Sequence, residues 1–524
     1  MLKSLAKFYL KNFKKIRLPR DLIEASVRKN ANKIAVIEKD KKITYSELYE
    51  RAKKLSNGLI GLNIKKGDKM AVMLKNCHEL LEIRIASYLT GIVLVPIIWD
   101  MDIKSLMFIL NDCEVRGLIY DRDILKKQIN EIKENTRVKN FIEVSDSKES
   151  FFEKLIKENN SELTKPELSE DDLISINFSS GTTGRPKGVC LTNKCWIESF
   201  YNYVLNSDGL GKNPRVLHVL SFSTAGGVAF LPSFFIGSKN IILKDFNLKK
   251  IGELLLNKEI DYLLVSPGYL YEIIDYLKNK KIKSSLKEIL VGTEIISKSK
   301  FLEAINFFGP IITGAYGMVE VLPPLTSNTQ KDYYKNKVLI INRLKTVGRT
   351  MKGVEVKIMN KNKFGIGKIA LKSGTISKGY WKNSLLTKKH FVNGWFITED
   401  FGKIDKDNYI EILGRNTDII KKSDVVYFRK EIEEIFHENK KVLEVCIIDN
   451  RGKTECYICP RTGSELTSKE IEEFYKKNIS ELIRLDRIFL IEGLPKNASG
   501  KVDINKLKEK SKNGRNMVVE FNND

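Results

Sequence analysis

The chain has 524 residues, of which 42% are hydrophobic and 30% charged, and its formal net charge at pH 7 is +24. That length implies about three or four subdomains, and the absence of any apolar run near the roughly 18–20 residues of a membrane span excludes a bundle of transmembrane helices. The basic residues are scattered rather than gathered into one stripe, and no recognised nucleic-acid module accompanies them, so the charge reads as solvated lysine and argues against a nucleic-acid interface.

Residues 1–16 are basic and amphipathic, with Leu2, Leu5, Phe8, Tyr9, Phe13 and Ile16 near helical spacing. They lack the apolar region and cleavage site of a signal peptide. Two readings stand: contact with a membrane surface through this basic segment, or packing on the domain behind it. The seven cysteines are odd in number and dispersed, which fits a reducing cytoplasm better than a disulfide framework.

Residues 32–145 predict alternating helix and strand: a helix from Ser46 or Thr44, strands at 69–74, 91–96 and 116–120, and helices at 78–89 and 103–111. Strands separated by helices imply parallel α/β layers. Residues 124–170 are rich in Lys, Glu and Asn and read as exposed helices and connections. A short apolar strand at 173–178 then feeds the stretch Asn177-Phe-Ser-Ser-Gly-Thr-Thr-Gly-Arg-Pro-Lys-Gly-Val189. Its glycines turn backbone N–H groups inward, Ser179, Ser180, Thr182 and Thr183 add hydroxyls, and Lys187 adds a point charge. Together with Gly181 and Gly184 these make a polyphosphate cradle, and no Walker A spacing fits it.

Further along, strands are expected at 262–267 and 288–292, and closely spaced strands at 347–371 suggest a small β-rich subdomain. Gly365-Ile-Gly-Lys-Ile-Ala370 matches a dinucleotide pattern only formally, since it opens no helix. Cys456-Tyr-Ile-Cys459 is a lone CxxC within a strand, weak as a metal site. The end of the chain, from about 505, reads as a Lys-rich helix and a polar tail.

The phosphate loop, Ile311-Ile-Thr-Gly-Ala-Tyr-Gly-Met-Val-Glu320, Gly379-Tyr-Trp381, Gly394-Trp-Phe-Ile-Thr-Glu-Asp400, Gly414-Arg-Asn-Thr-Asp418 and Pro495-Lys-Asn-Ala-Ser-Gly-Lys501 follow one another over most of the chain. In kind and order they resemble the motifs of the adenylate-forming superfamily: acyl-CoA synthetases, adenylation domains of nonribosomal peptide synthetases, and luciferases. The resemblance implies an α/β fold: a large N-terminal domain of layered α/β subdomains with a small β-rich subdomain (1–413), then a small mobile α+β domain (414–524). It implies ATP and Mg²⁺ as cofactors, and a ligase that joins a small carboxylic acid to the thiol of CoA or of a separate carrier protein's phosphopantetheine.

The same resemblance assigns roles. Gly292, Thr293 and Glu294 form an adenine-contacting loop, Tyr316 beside Gly317 stacks on adenine, and Asp400 holds the ribose. Glu320 and Thr182 hold Mg²⁺, Arg415 faces ribose and phosphates, and Lys187 the phosphates. Lys501 bridges acid and nucleotide. Thr224, Gly227, Gly314 and Val319 line the acid pocket, Thr417 is the hinge, and Lys421 and Asp424 border the thiol tunnel. An aromatic face for a purine and a carboxylate for a hard cation are chemically sensible partners.

Four stretches depart from the family pattern. Val319 stands for a threonine whose hydroxyl is worth about 1–3 kcal/mol to a phosphate. Ser221, Ser223 and Thr224 stand where an aromatic gate is usual. Glu399 replaces a glycine beside Asp400, where a larger neighbour is expected to shift a turn. Asp424 replaces another glycine, narrowing the thiol tunnel and repelling a phosphate. Asp424 motivates one alternative, an enzyme that stops at, or passes on, the acyl-adenylate, and Val319, Glu399 and Asp424 together motivate another, a nucleotide-binding relative with weakened chemistry.

Overall fold

The structure is a computed structural model, and it describes residues 16–179, 186–206, 211, 213–280, 285–422, 425–512 and 517–520. The expectations for residues 1–15, 180–185 and Asp424 lie outside the described residues. Two large sheets carry the N-terminal domain. In the first, Asn140–Val144, Gly117–Asp121, Lys69–Met73, Val93–Ile97 and Leu173–Ser179 run parallel, and Lys187–Thr192 closes one edge antiparallel. In the second, six parallel strands run in the order Ile312–Met318, Glu288–Val291, Tyr262–Val265, Arg215–His218, Lys239–Ile242 and Ile34–Glu38, with antiparallel strands outside them.

Local chemistry places the helices as expected. Thr44 caps Tyr45–Gly61 in a capping box with Glu47, and the left-handed Gly91 (φ 72°) ends His78–Thr90. The strand interiors are buried aliphatic side chains, because parallel strands are covered on both faces.

A five-stranded antiparallel sheet, including Glu355–Met359, Gly367–Lys372, Trp395–Ile404 and Ile410–Arg415, forms the β-rich subdomain. The hairpin Ile419–Lys422/Val425–Phe428 leads into the small domain, whose sheet orders Val442–Asn450, Lys453–Pro460, Arg487–Leu490 and Met517–Glu520.

Three expectations need correction. Residues 124–170 contain the strand Asn140–Val144 and the helix Phe151–Glu158, which buries Phe152, Leu155 and Ile156. The polar tail holds a strand, Met517–Glu520, paired with Arg487–Leu490. Glu399 sits in the strand Trp395–Ile404 rather than in a turn, so its side chain faces away from Asp400 and pairs with Lys368 at 3.0 Å. The CxxC cysteines enter different cores, Cys456 with Ile432 and Cys459 with Leu443. Among the described residues no helix is long and apolar enough to cross a membrane.

The small domain is seated on the large one through buried polar contacts. The Lys300 ammonium donates to the Val442 carbonyl at 2.8 Å. Glu434 accepts from the backbone N–H groups of Lys298 (2.7 Å) and Ser299 (2.8 Å), supplying the acceptor that the start of the Lys298–Phe308 helix needs. Arg461 reaches Glu303 and Asp275.

Candidate active site at the domain junction

The parallel strands Arg215–His218, Tyr262–Val265 and Glu288–Val291 end at the loops beginning Val219, Ser266 and Gly292, and the Lys501 loop docks there, where open α/β sheets hold their ligands. At Gly292 and Gly314 there is room: an added Cβ would approach nothing nearer than 3.9 Å and 3.7 Å. Thr293 adopts a positive φ of 74°, and its buried hydroxyl finds no protein partner. Such an orphan calls for a ligand atom or water.

Asp400 is the organising carboxylate. It is 7% exposed, accepts from the Tyr316 hydroxyl at 2.7 Å and from Arg415 Nε at 2.9 Å, and its own N–H donates to the Thr398 hydroxyl at 3.0 Å. Burial raises the Tyr316 phenol far above its ordinary value, and the Asp400 charge adds to this, so Tyr316 stays a neutral donor. Burial works against the charge on Arg415, and Asp400 more than offsets it.

Glu320 lies at the turn between Ile312–Met318 and Val321–Asn328. Its Oε1 accepts from the Tyr380 hydroxyl at 3.0 Å, and its carbonyl accepts from the Ser377 N–H at 2.9 Å. The Gly379-Tyr-Trp381 motif thus orients Glu320, a role not assigned to it from sequence. Among the described residues the one cluster of three potential metal ligands is Glu38, His78 and Glu79. Glu320 offers a carboxylate oxygen that could hold Mg²⁺, and Thr182, the other expected ligand, lies outside the described residues.

The Lys501 loop is a tight hairpin. Lys496 pairs with Val502, Asn497 N donates to the Lys501 carbonyl at 2.9 Å, and Asn497 Oδ1 accepts from Ser499 N, Ser499 Oγ and Lys501 N. The left-handed Gly500 (φ 76°) lies where a Cβ would meet Ser266 Oγ at 2.8 Å and Tyr269 at 3.0 Å. Ala498 N donates to Asp100 Oδ2 at 3.1 Å, another anchor the sequence did not announce. Burial lowers the Lys501 pKa, partly offset by Glu294, Asp400 and Glu320, while Arg415 adds to the lowering. The loop therefore brings an ammonium within electrostatic reach of three carboxylates and of the Arg415 guanidinium that pairs with Asp400.

On the acid side, Thr224 precedes the helix Ala225–Phe235 and donates to the Ser221 carbonyl at 3.1 Å. Gly227 offers no open wall, because an added Cβ would collide with the Phe222 carbonyl and stand 2.7 Å from Arg84 Nη2. Val319 packs against the core that includes Leu322, and Gly317 packs on Pro323. His218 is 2% exposed, bonds Asn240 at 2.9 Å, and burial takes its pKa down to about 4, as befits a structural residue.

At the phosphate loop, Ser179 ends one strand opposite Lys187, which is half-buried. Ser180, Gly181, Thr182, Thr183 and Gly184 lie outside the described residues. Thr417 is exposed in the short turn Asn416–Asp418, and Lys421 lies in the strand Ile419–Lys422 that follows.

Residues 23–381 match the family model of the AMP-binding enzymes, and residues 431–501 that of the AMP-binding enzyme C-terminal domain. The chain is 26% identical over 480 residues to a 2-succinylbenzoate–CoA ligase of Bacillus cytotoxicus, covering 90% of this chain and 94% of that protein. It is 26% identical over 494 residues to the enzyme of the same name from Listeria monocytogenes, covering 93% and 98%. Among solved structures, an anthranilate CoA ligase in complex with anthranoyl-AMP superposes with a TM-score of 0.83 at 21% identity, covering 95% and 98%. The o-succinylbenzoate CoA synthetase of Bacillus subtilis in complex with its acyl-adenylate gives 0.78 at 21%, covering 93% and 97%.

Proposed function

The chain belongs to the AMP-binding enzyme family, and from that premise we propose that it activates a carboxylic acid with ATP, releases pyrophosphate, and passes the acyl group from the adenylate to the thiol of CoA. The observation that carries the reading is the docking of the small domain's Lys501 loop at the strand ends, with Gly500 against Ser266 and Tyr269 and the Ala498 N–H on Asp100, where the charges of Glu294, Asp400, Glu320 and Arg415 act on the Lys501 ammonium. A carboxylate attacking the α-phosphate brings anion to anion, so catalysis is chiefly positioning and positive charge. Lys501 and Arg415 supply that charge. Asp400 accepts from the ribose hydroxyls, Tyr316 offers its ring to adenine, and Thr293 gives its unpaired hydroxyl to the nucleotide. Mg²⁺, held by Glu320, neutralises phosphate charge when bound.

The relatives named above are CoA ligases, which favours CoA over a carrier protein. The acid in their names is 2-succinylbenzoate, so an acid built on an aromatic ring is the first candidate substrate. The open Gly292 and Gly314 leave space for such a ring. We place the domain boundary between residues 413 and 414, with Thr417 as hinge.

The test is pyrophosphate release across aryl, fatty and amino acids, with and without CoA. Release with one acid and a CoA thioester as product establishes the reading. Adenylate trapped by hydroxylamine with no thioester would move the acceptor away from CoA, and no release with any acid would refute the activity.

A further inference from the structure

Lys496, five residues before Lys501, is 6% exposed in its side chain and contacts two carboxylates from different domains: Glu272 of the large-domain helix Pro267–Leu277, and Glu444 Oε2 at 2.7 Å on the small-domain strand Val442–Asn450. We propose that Lys496 is a positioning residue, and that the Glu272–Lys496–Glu444 link holds the Lys501 loop in place for adenylate formation. The proposal rests on the ligase reading above.

Three features make the link a device rather than an incidental ion pair. The first is burial: Glu444 is 7% exposed and Glu272 25%. Burial pushes the Glu444 carboxyl upward against the pull of Lys496, so without the ammonium this charge is costly to keep. The second is close approach. A Cβ on Gly268 would overlap Glu444 and Lys496, so the helix start at Gly268 is open only to glycine when the link is closed. The third is stiffness. Lys496 is bridged to Val502, and Asn497 gathers the turn through Ser499 and Lys501, so fixing Lys496 fixes the base of the Lys501 side chain. Tyr269 on the same large-domain helix lies under Gly500 and 5.7 Å from the Lys496 ammonium.

Glu272 belongs to the large domain, so its bond must break whenever the small domain turns away, whereas the Glu444 bond travels with the small domain. The link therefore biases the first half-reaction and not the second. Removing the ammonium leaves the buried Glu444 carboxylate beside the half-buried Glu272 and risks the fold, so Glu272→Gln is the primary variant, with Lys496→Arg as the conservative control.

The experiment has two arms on the full chain. Hydrogen exchange of residues 495–503 reads loop docking without any acid. Pyrophosphate release with 2-succinylbenzoate, and CoA thioester formation from the chemically prepared 2-succinylbenzoyl adenylate, read the two half-reactions. For Glu272→Gln the exchange in 495–503 is expected to rise about tenfold while Tyr262–Val265 is unchanged. Pyrophosphate kcat is expected to fall about tenfold with KM for ATP within about threefold, and thioester formation from the adenylate to hold within about twofold. Lys496→Arg should retain most of the first half-reaction. Unchanged exchange, or an equal fall in both half-reactions, overturns the positioning role. If the wild type uses no acid, the ligase reading fails by itself and hydrogen exchange alone decides whether the link docks the loop.

Discussion

Asp400→Asn strikes the group that both organises the pocket and, on the proposed function, grips the nucleotide. The aspartate receives Tyr316 at 2.7 Å and Arg415 at 2.9 Å. The isosteric amide keeps one acceptor oxygen, so one of those donors meets an NH₂ group instead. Losing a hydrogen bond to a charged group costs about 1.5–3 kcal/mol. The Arg415 side chain is 49% exposed, so its ion pair adds at most about 1 kcal/mol after solvent screening. Toward ATP, a carboxylate accepts both ribose hydroxyls while an amide accepts with one oxygen. The loss is about 2 kcal/mol, or roughly thirtyfold in Kd. Tyr316→Phe removes one donor and keeps the ring, so ATP should bind it within about threefold of wild type with stability down about 1.5–3 kcal/mol. Calorimetric titration of ATP, with thermal denaturation as the check on folding, reads both. A folded Asp400→Asn protein that binds ATP as the wild type does would refute the assignment of Asp400.

Other perturbations follow from the same structure. Lys300 is 2% exposed, and burial takes its pKa from 10.5 down to about 8. Its folded pKa is below its unfolded one, so its contribution is fully present above 10.5 and lost as pH falls through about 8. Across that window the wild type should gain about 3 kcal/mol relative to Lys300→Met, and parallel denaturant midpoints for the two proteins between pH 7.5 and 10.5 would contradict it. For His78, burial lowers the pKa but Glu38, Glu79 and Glu82 outweigh it, so the net shift is upward from 6.5. Its contribution is fully present below 6.5 and lost as pH rises through the folded pKa, whereas that of Glu38, shifted down from 4.5, is lost in acid. The Tm gap between wild type and His78→Asn should therefore be widest between those two values, and a gap that grows with alkaline pH would overturn the pairing. Gly348 has φ 86°, and a Cβ there would collide with the Ser327 carbonyl. Gly348→Ala should cost more than about 3 kcal/mol, and a Tm within about 2 °C of wild type would show otherwise.

Legibility in the sequence followed the range of the forces involved. Strands such as Tyr262–Val265 and Glu288–Val291 were plain because both faces are buried and the run is continuously apolar. Thr44 announced its helix because the cap and its Glu47 partner lie within one turn. Asn140–Val144 was missed because an edge strand, half exposed, blends into a lysine- and glutamate-rich stretch. Met517–Glu520 was missed because its pairing partner, Arg487–Leu490, is distant in the chain. For the proposed site, motifs singled out Tyr316, Glu320, Asp400, Arg415 and Lys501 as candidates, yet the bonds that join Tyr316 and Arg415 to Asp400 are invisible to spacing. Tyr380 meets Glu320 from 60 residues away, and Lys496 meets Glu272 from 224. The expected shift at Glu399 failed for a local reason, since alternation along a strand turns it to the face opposite Asp400.

The most direct test of acid activation is acid-dependent release of pyrophosphate from ATP by the wild type and by Lys501→Ala, with ATP affinity measured on both. The expected result is release by the wild type, loss of at least about a hundredfold in the variant, and ATP Kd within about threefold. Equal turnover by the two proteins would contradict the role given to Lys501, and no release by the wild type with any acid would contradict the ligase itself.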